Sequence, residues 1–150
     1  MKLRIFILSL VAMGLSVNQS FCKSPKPKEV KLLIVDGFSN HDWDRTTQAI
    51  VQLLNEYKGF KIEVSTSPDK TVTKEQLESY SPNFQNFDVV MLNCNDLGGP
   101  VNWSKTTREN LEHFVASGGG LLIFHSANNS FENWGEYNRN DQGHSMARKS

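Results

Sequence analysis

The sequence predicts an α/β domain: an open, mostly parallel sheet with helices on both faces, in three layers. Short apolar runs of strand length alternate with stretches of helical periodicity. The first run, Val30-Lys31-Leu32-Leu33-Ile34-Val35, is apolar on both faces apart from Lys31, as suits a strand covered from two sides. Phe60-Lys61-Ile62-Glu63-Val64 instead alternates apolar and polar, which marks a half-exposed strand at a sheet edge.

The first 22 residues stand outside that pattern. Met1-Lys2-Leu3-Arg4 is a basic start, and Ile5 to Val17 is apolar apart from small residues. Spanning a bilayer takes about 20 residues, so this run is short for a membrane helix and reads as the core of a secretory signal peptide over 1–22. Cleavage after Cys22 puts Ser20 and Cys22 at the two small-residue positions; cleavage after Ser20 is the alternative. Bulky Phe21 argues against a lipid anchor on Cys22. The expected product is exported, periplasmic or secreted. Residues 23–29, including Lys-Ser-Pro-Lys-Pro-Lys, form a linker without periodicity.

The domain is expected over 30–139. Its first strand ends at Asp36-Gly37. Asp44 is the expected N-cap of a helix from Arg45 to Tyr57, whose apolar stripe is Ile50, Leu53, Leu54 and Tyr57. Gly59 stops it, and the alternating strand follows. Thr73 caps a short helix from Lys74 to Tyr80. Phe87 to Leu92 is the third strand. A glycine-rich loop, Leu97-Gly98-Gly99-Pro100, leads to Ser104, the cap of a helix from Lys105 to Ala116 with Leu111, Phe114 and Val115 inward. Leu121 to Phe124 is the fourth strand and runs into His125-Ser126-Ala127-Asn128. Right-handed βαβ crossovers leave few topologies, and the simplest strand order is 2-1-3-4, that of flavodoxin-like sheets. From 138 onward the chain is almost wholly polar, so the sheet is expected to be incomplete at its C-terminal side, with 140–150 a tail outside the domain.

Composition excludes some partners. Of the 16 Lys+Arg, Lys2 and Arg4 leave with the leader; 14 remain against 16 Asp+Glu. No basic patch is present, so no nucleic acid is expected. No later stretch is apolar enough to span a membrane, so no membrane contact is expected once the leader is removed. Cys94 alone remains in the domain and has no internal partner for a disulfide.

In an open parallel sheet, ligands bind beyond the carboxyl ends of the strands, where the strand order reverses. The loops that meet there hold two of the four histidines, His41 and His125. Histidine serves as acid, base or metal ligand near neutral pH. These two are the catalytic candidates. Asp42, Trp43, Asn93, Asn95, Ser126 and Asn128 are the candidate substrate contacts, with Trp43 a flat face for a sugar ring and the asparagines donors and acceptors for hydroxyls. The bland alternative is that the histidines bond only to loop backbone and that Trp43 staples the helix start. A divalent metal at His41 and His125, completed by Asp36 or Asp42, is a further reading. Ser126 as a hydrolase nucleophile lacks the flanking glycines of an elbow motif. The Gly98-Gly99-Pro100 loop lacks the spacing and lysine of a phosphate loop.

Leu32-Leu33-Ile34-Val35-Asp36-Gly37, with His41-Asp42-Trp43 after it, resembles the first strand and loop of ThuA-like (trehalose-utilisation) proteins. Phe87 to Asn93 is similar to a second segment of that family, and Gly118 to Ala127 to its most distinctive one, with a histidine at the elbow. Phe131 to Arg139 continues the likeness, which stops there and so covers about 30–139. The resemblance implies a flavodoxin-like fold of the class I glutamine amidotransferase type, but not a functional amidotransferase, since His125-Ser126 stand where the catalytic cysteine would be. It implies carbohydrate utilisation, on trehalose or a keto-sugar, with His41 and His125 in the site. The competing reading on the same scaffold is a non-catalytic carbohydrate-binding module. Homo-oligomerisation is left open.

Overall fold

The structure, a computed structural model, describes residues 28–69, 71–96, 103–131 and 133–137. The expected leader, most of the linker, the glycine-rich loop at 97–100 and the tail from 138 lie outside the described residues.

Four strands build one sheet: β1 (Val30–Asp36), β2 (Phe60–Thr66), β3 (Val89–Leu92) and β4 (Gly120–Ile123). The order is β2-β1-β3-β4 and every pairing is parallel. Leu32 lies opposite Ile62 on one side and Val89 on the other; Leu92 lies opposite Ile123. The connections are helices α1 (Trp43–Glu56), α2 (Lys74–Ser79) and α3 (Lys105–Ala116), with 3-10 turns at Phe84–Asn86 and His125–Asn129. This is the flavodoxin-like α/β fold. Among the described residues no helix is long and apolar enough to cross a membrane.

Strand alternation sends successive residues of β1 to opposite faces. Leu33 and Val35 join Val90, Leu92, Leu111 and Phe114 in the larger core, on the α3 side. Leu32 and Ile34 join Met91 on the other face, against Ile50, Val51 and Leu54 of α1. β2 keeps its charged residues Lys61 and Glu63 exposed, as its alternation requires.

α3 and its Ser104 cap match the expected bounds, with Ser104 Oγ accepting from the Thr107 N–H at 3.1 Å. α2 is held at its start by a capping box between Thr73 and Gln76. α1 begins two residues earlier than expected. Asp42, not Asp44, is its cap, with Oδ1 accepting from the Arg45 N–H at 3.2 Å. Its buried stripe is also turned: Val51 packs inward, while Leu53 is 54% and Tyr57 71% exposed. Helical periodicity fixes the spacing of a stripe, but the sheet face it meets fixes its phase. β3 starts at Val89 because Phe87 closes the preceding 3-10 turn. Asp88 already pairs there with β1, taking the Lys31 N–H on its carboxylate and giving its own N–H to the Lys31 carbonyl. β4 is registered one residue earlier than expected, with Gly120 opposite Val89.

The aromatic part of the core was not foreseen. Trp103, Phe131, Trp134 and Tyr137 are all buried, with Trp103 4.9 Å from Phe131 and Trp134 stacked on Tyr137 at 5.5 Å.

Candidate functional site

The site is built where β1, β3 and β4 end. Gly37 turns the chain out of β1 at a φ of +118°, which only glycine adopts without strain. A Cβ there would run into the Ser67 carbonyl, so the position requires glycine on two counts. The loop is then tied by the His41 N–H to Ser39 Oγ at 3.1 Å and by the Trp43 N–H to the His41 carbonyl at 2.9 Å. This pair of bonds delivers the His41 side chain immediately before α1.

β4 ends differently. The Phe124 N–H donates to the Leu92 carbonyl at 2.9 Å, extending the ladder by one bond. His125 then takes a φ of +48°, rare for a residue with a Cβ and costing roughly 1–2 kcal/mol. Such a strained turn from strand to helix is where elbow enzymes expose a nucleophile. Here the residue at the strained position is the histidine, not Ser126.

The two imidazoles meet. The His41 and His125 ring centroids are 4.8 Å apart, with ring planes at 77°, edge to face. Both residues are exposed, so a ligand has access to them. The loops are knit together beneath the rings. The Asn95 N–H donates to the Phe38 carbonyl at 2.7 Å, and Asn95 Nδ2 to the Ser126 carbonyl at 2.8 Å. Ser130 Oγ donates to the Cys94 carbonyl at 2.9 Å, and the Phe131 N–H to Asp96 Oδ1 at 2.9 Å. One buried asparagine thus links the loops after β1, β3 and β4.

The expected substrate contacts divide into two groups. Asn93 and Asn95 are buried, and their Nδ2 groups are engaged within the fold; Asn93 Nδ2 reaches the Trp43 carbonyl at 3.2 Å and Thr47 Oγ1 at 3.0 Å. These bonds seat the start of α1 on β3. Asp42 is exposed and serves as the helix cap, with Trp43 half-buried behind it. Ser126 is half-buried in the 3-10 turn, and Asn128 is exposed beside it. His113 lies apart, on α3, within 3.3 Å of Gln85. Asp36 joins this end of the sheet as a buried carboxylate whose Oδ1 has no hydrogen-bond partner. Its signal in the sequence is an acid placed directly after an apolar strand. Among the described residues no group of three or more His, Cys, Asp or Glu side chains is arranged to hold a metal ion.

Cys94 is fully buried. Burial pushes its thiol far above the usual cysteine range, and the carboxylates of Asp96 and Asp36 push it further. It stays a thiol and packs in the core, without the thiolate that reactivity requires. Burial likewise raises the Tyr80 phenol, whose OH lies 3.0 Å from Ser65 Oγ.

Comparison with known proteins gives two structural neighbours. The chain is similar to the crystal structure of a protein assigned as ThuA-like from Parabacteroides merdae, with a TM-score of 0.67 and 28% identity over 75% of this chain. A second, assigned as ThuA-like from Bacteroides uniformis, matches at a TM-score of 0.49 and 18% identity over 76% of this chain. The match spans 38% of the Parabacteroides chain and 44% of the Bacteroides chain. No protein-family model matches the sequence, and no curated protein does.

Proposed function

From a chain that is ThuA-like in fold, with a ThuA-like neighbour at 28% identity, we propose an exported enzyme of carbohydrate utilisation. It acts on trehalose or a keto-sugar, with His41 and His125 as its acid–base pair. The observation that carries this reading is the 4.8 Å approach of two exposed imidazoles supplied by loops far apart in the chain. Proton transfer to or from a sugar oxygen, or from a carbon beside a keto group, needs a base on one side and an acid within reach. Two imidazoles meet that need without a metal, one accepting while the other gives. The strain at His125 supports the same reading, because an unfavourable backbone angle held in place by packing is common at working sites. Trp43, Asp42 and Asn128 are the groups at hand to bind the sugar, while Asn93 and Asn95 hold the loops.

The test is turnover and binding of trehalose, and of a keto-sugar, by the wild-type chain and by His41→Gln and His125→Gln. Sugar should bind all three within a few-fold, and either substitution should lower turnover by about 10²-fold or more. Full turnover in both variants would sink the proposal. Binding by the wild type with no turnover would favour the non-catalytic carbohydrate-binding module.

A further inference from the structure

Two imidazoles held side by side can share more than a proton. An imidazole kept for packing usually spends a ring nitrogen on the fold, as His113 does where its Nδ1 lies 3.3 Å from Gln85 Nε2. Among the described residues, no hydrogen bond engages a ring nitrogen of His41 or His125; their contact is with each other. Both side chains are exposed, so each ring can turn about its own χ2 without moving the backbone.

Their separation is that of two ligands on one ion. A metal ion bound by imidazole sits about 2.0–2.1 Å from the ligating nitrogen. Two rings bound to the same ion, at an angle between square and tetrahedral, then have centroids on the order of 5 Å apart. The observed separation is 4.8 Å, with the planes crossing at 77°. The frame that sets this spacing is built in advance. Asn95 ties the loop of His41 to the turn of His125, through the Phe38 and Ser126 carbonyls. A pair positioned before the ion arrives binds it with little ordering cost.

The carboxylates expected to complete such a site do not join it. Asp36 is buried, Asp42 caps α1 with Oδ1, and no group of three acidic, histidine or cysteine ligands is assembled among the described residues. We propose that His41 and His125 by themselves chelate a transition-metal ion of the Cu²⁺, Ni²⁺ or Zn²⁺ class, through one ring nitrogen each. Imidazole suits these ions, whereas Mg²⁺ and Ca²⁺ prefer oxygen. A closed structural site has four protein ligands, so an ion held by two exchanges with solution. The lone pair given to the ion is the one a base gives to a proton, so the ion reversibly inhibits the pair. The site rests on the ring geometry; only the inhibition rests on the acid–base reading.

Titration of the full chain with Cu²⁺ tests it, read by calorimetry and by electron paramagnetic resonance. The strongest site should show two nitrogen ligands, and Zn²⁺ and Ni²⁺ should compete for it while Mg²⁺ does not. His41→Gln and His125→Asn should each raise its dissociation constant roughly tenfold or more, because the second ligand of the chelate is lost. His113→Gln and His144→Gln, at the other two histidines, should leave it unchanged. Asparagine tolerates the positive φ at 125, and far-UV circular dichroism checks that each variant folds. His41, in an exposed loop, keeps the test alive if the substitution at 125 disturbs the turn. An affinity unchanged in both variants overturns the proposal, and so does a wild-type spectrum with a single nitrogen ligand. Binding lost in both variants supports the site whether or not sugar is turned over, so a failure of the acid–base reading is told apart from a failure of this one.

Discussion

Among the described residues, the two faces of this sheet are covered to different degrees. On the α3 side, Leu111 and Phe114 close over Leu33, Val35, Val90 and Leu92, and Trp103, Phe131, Trp134 and Tyr137 extend the seal past the strand ends. On the α1 side the buried set is Leu32, Ile34 and Met91, and it gives way to an open groove beside Phe124. The same four strands feed both faces, so the difference comes from the connecting segments: α3 and the aromatic stretch after β4 both fold back onto one side. The histidine pair stands where the two faces meet, over a sealed layer that holds its loops and next to an open one.

Matched substitutions on the two faces give the largest contrast. Leu111→Ala, at a fully buried position, should cost about 2–5 kcal/mol of unfolding free energy, because it leaves a cavity that the aromatic layer is unable to fill. Leu122→Ala, at 45% exposure, should stay within about 0.5 kcal/mol. Urea denaturation of both variants reads this directly, and equal losses would erase the distinction between the faces.

At the seam the expected effect is smaller and of opposite sign. His125→Gly removes a side chain from a residue at a φ of +48°, which should stabilise the chain by roughly 1 kcal/mol while removing one imidazole of the pair. A rise in the denaturation midpoint together with lost sugar turnover marks a residue kept for function at a cost in stability. A fall in the midpoint would mean that the imidazole is structural.

The smallest effect lies at the opposite rim of the sheet. The Lys31 N–H, and after it the Lys28 ammonium, hold the exposed Asp88 carboxyl below its usual range. A carboxylate with a lowered folded pKa contributes stability above its unfolded value of about 3.9, and loses that contribution as pH falls through the folded value. Asp88→Asn should therefore remove that contribution near neutrality and flatten the acid limb of the stability profile, the two chains converging as pH falls below about 4. An unchanged acid limb would show that the bond to Lys31 does not couple to folding.

Much of this architecture was legible in advance for reasons that particular residues make plain. Ser104 and Thr73 carry hydroxyls at helix starts, and both helices begin where those caps require. Val30 to Val35 is apolar on both faces, and it became a central strand flanked on both sides. Asp42 and Asp44 are equally good caps by type, and the choice between them fell to the bonds that Asn93 makes to Trp43 and Thr47. Leu53 and Tyr57 belonged to a plausible stripe but lie outside the contact, because α1 was docked by its neighbours and not by its own pattern. The aromatic layer is not legible in the sequence because Trp103, Phe131 and Trp134 fall in irregular chain, where no period announces burial, and Tyr137 stands in a helical turn too short to show one.

By itself, then, the amino-acid order determined the strands, the helices and the caps at Thr73 and Ser104, since these arise from local hydrogen bonding and from periods of two and 3.6 residues, and right-handed crossovers then fixed the strand order. Only the tertiary structure decided that His41 and His125, separated by most of the domain, stand ring to ring, and that among the described residues one sheet face is covered more fully than the other. Those outcomes depend on which loop carbonyls Asn95 can reach and on which side the later segments pack, and neither distance is written in any local stretch of the chain.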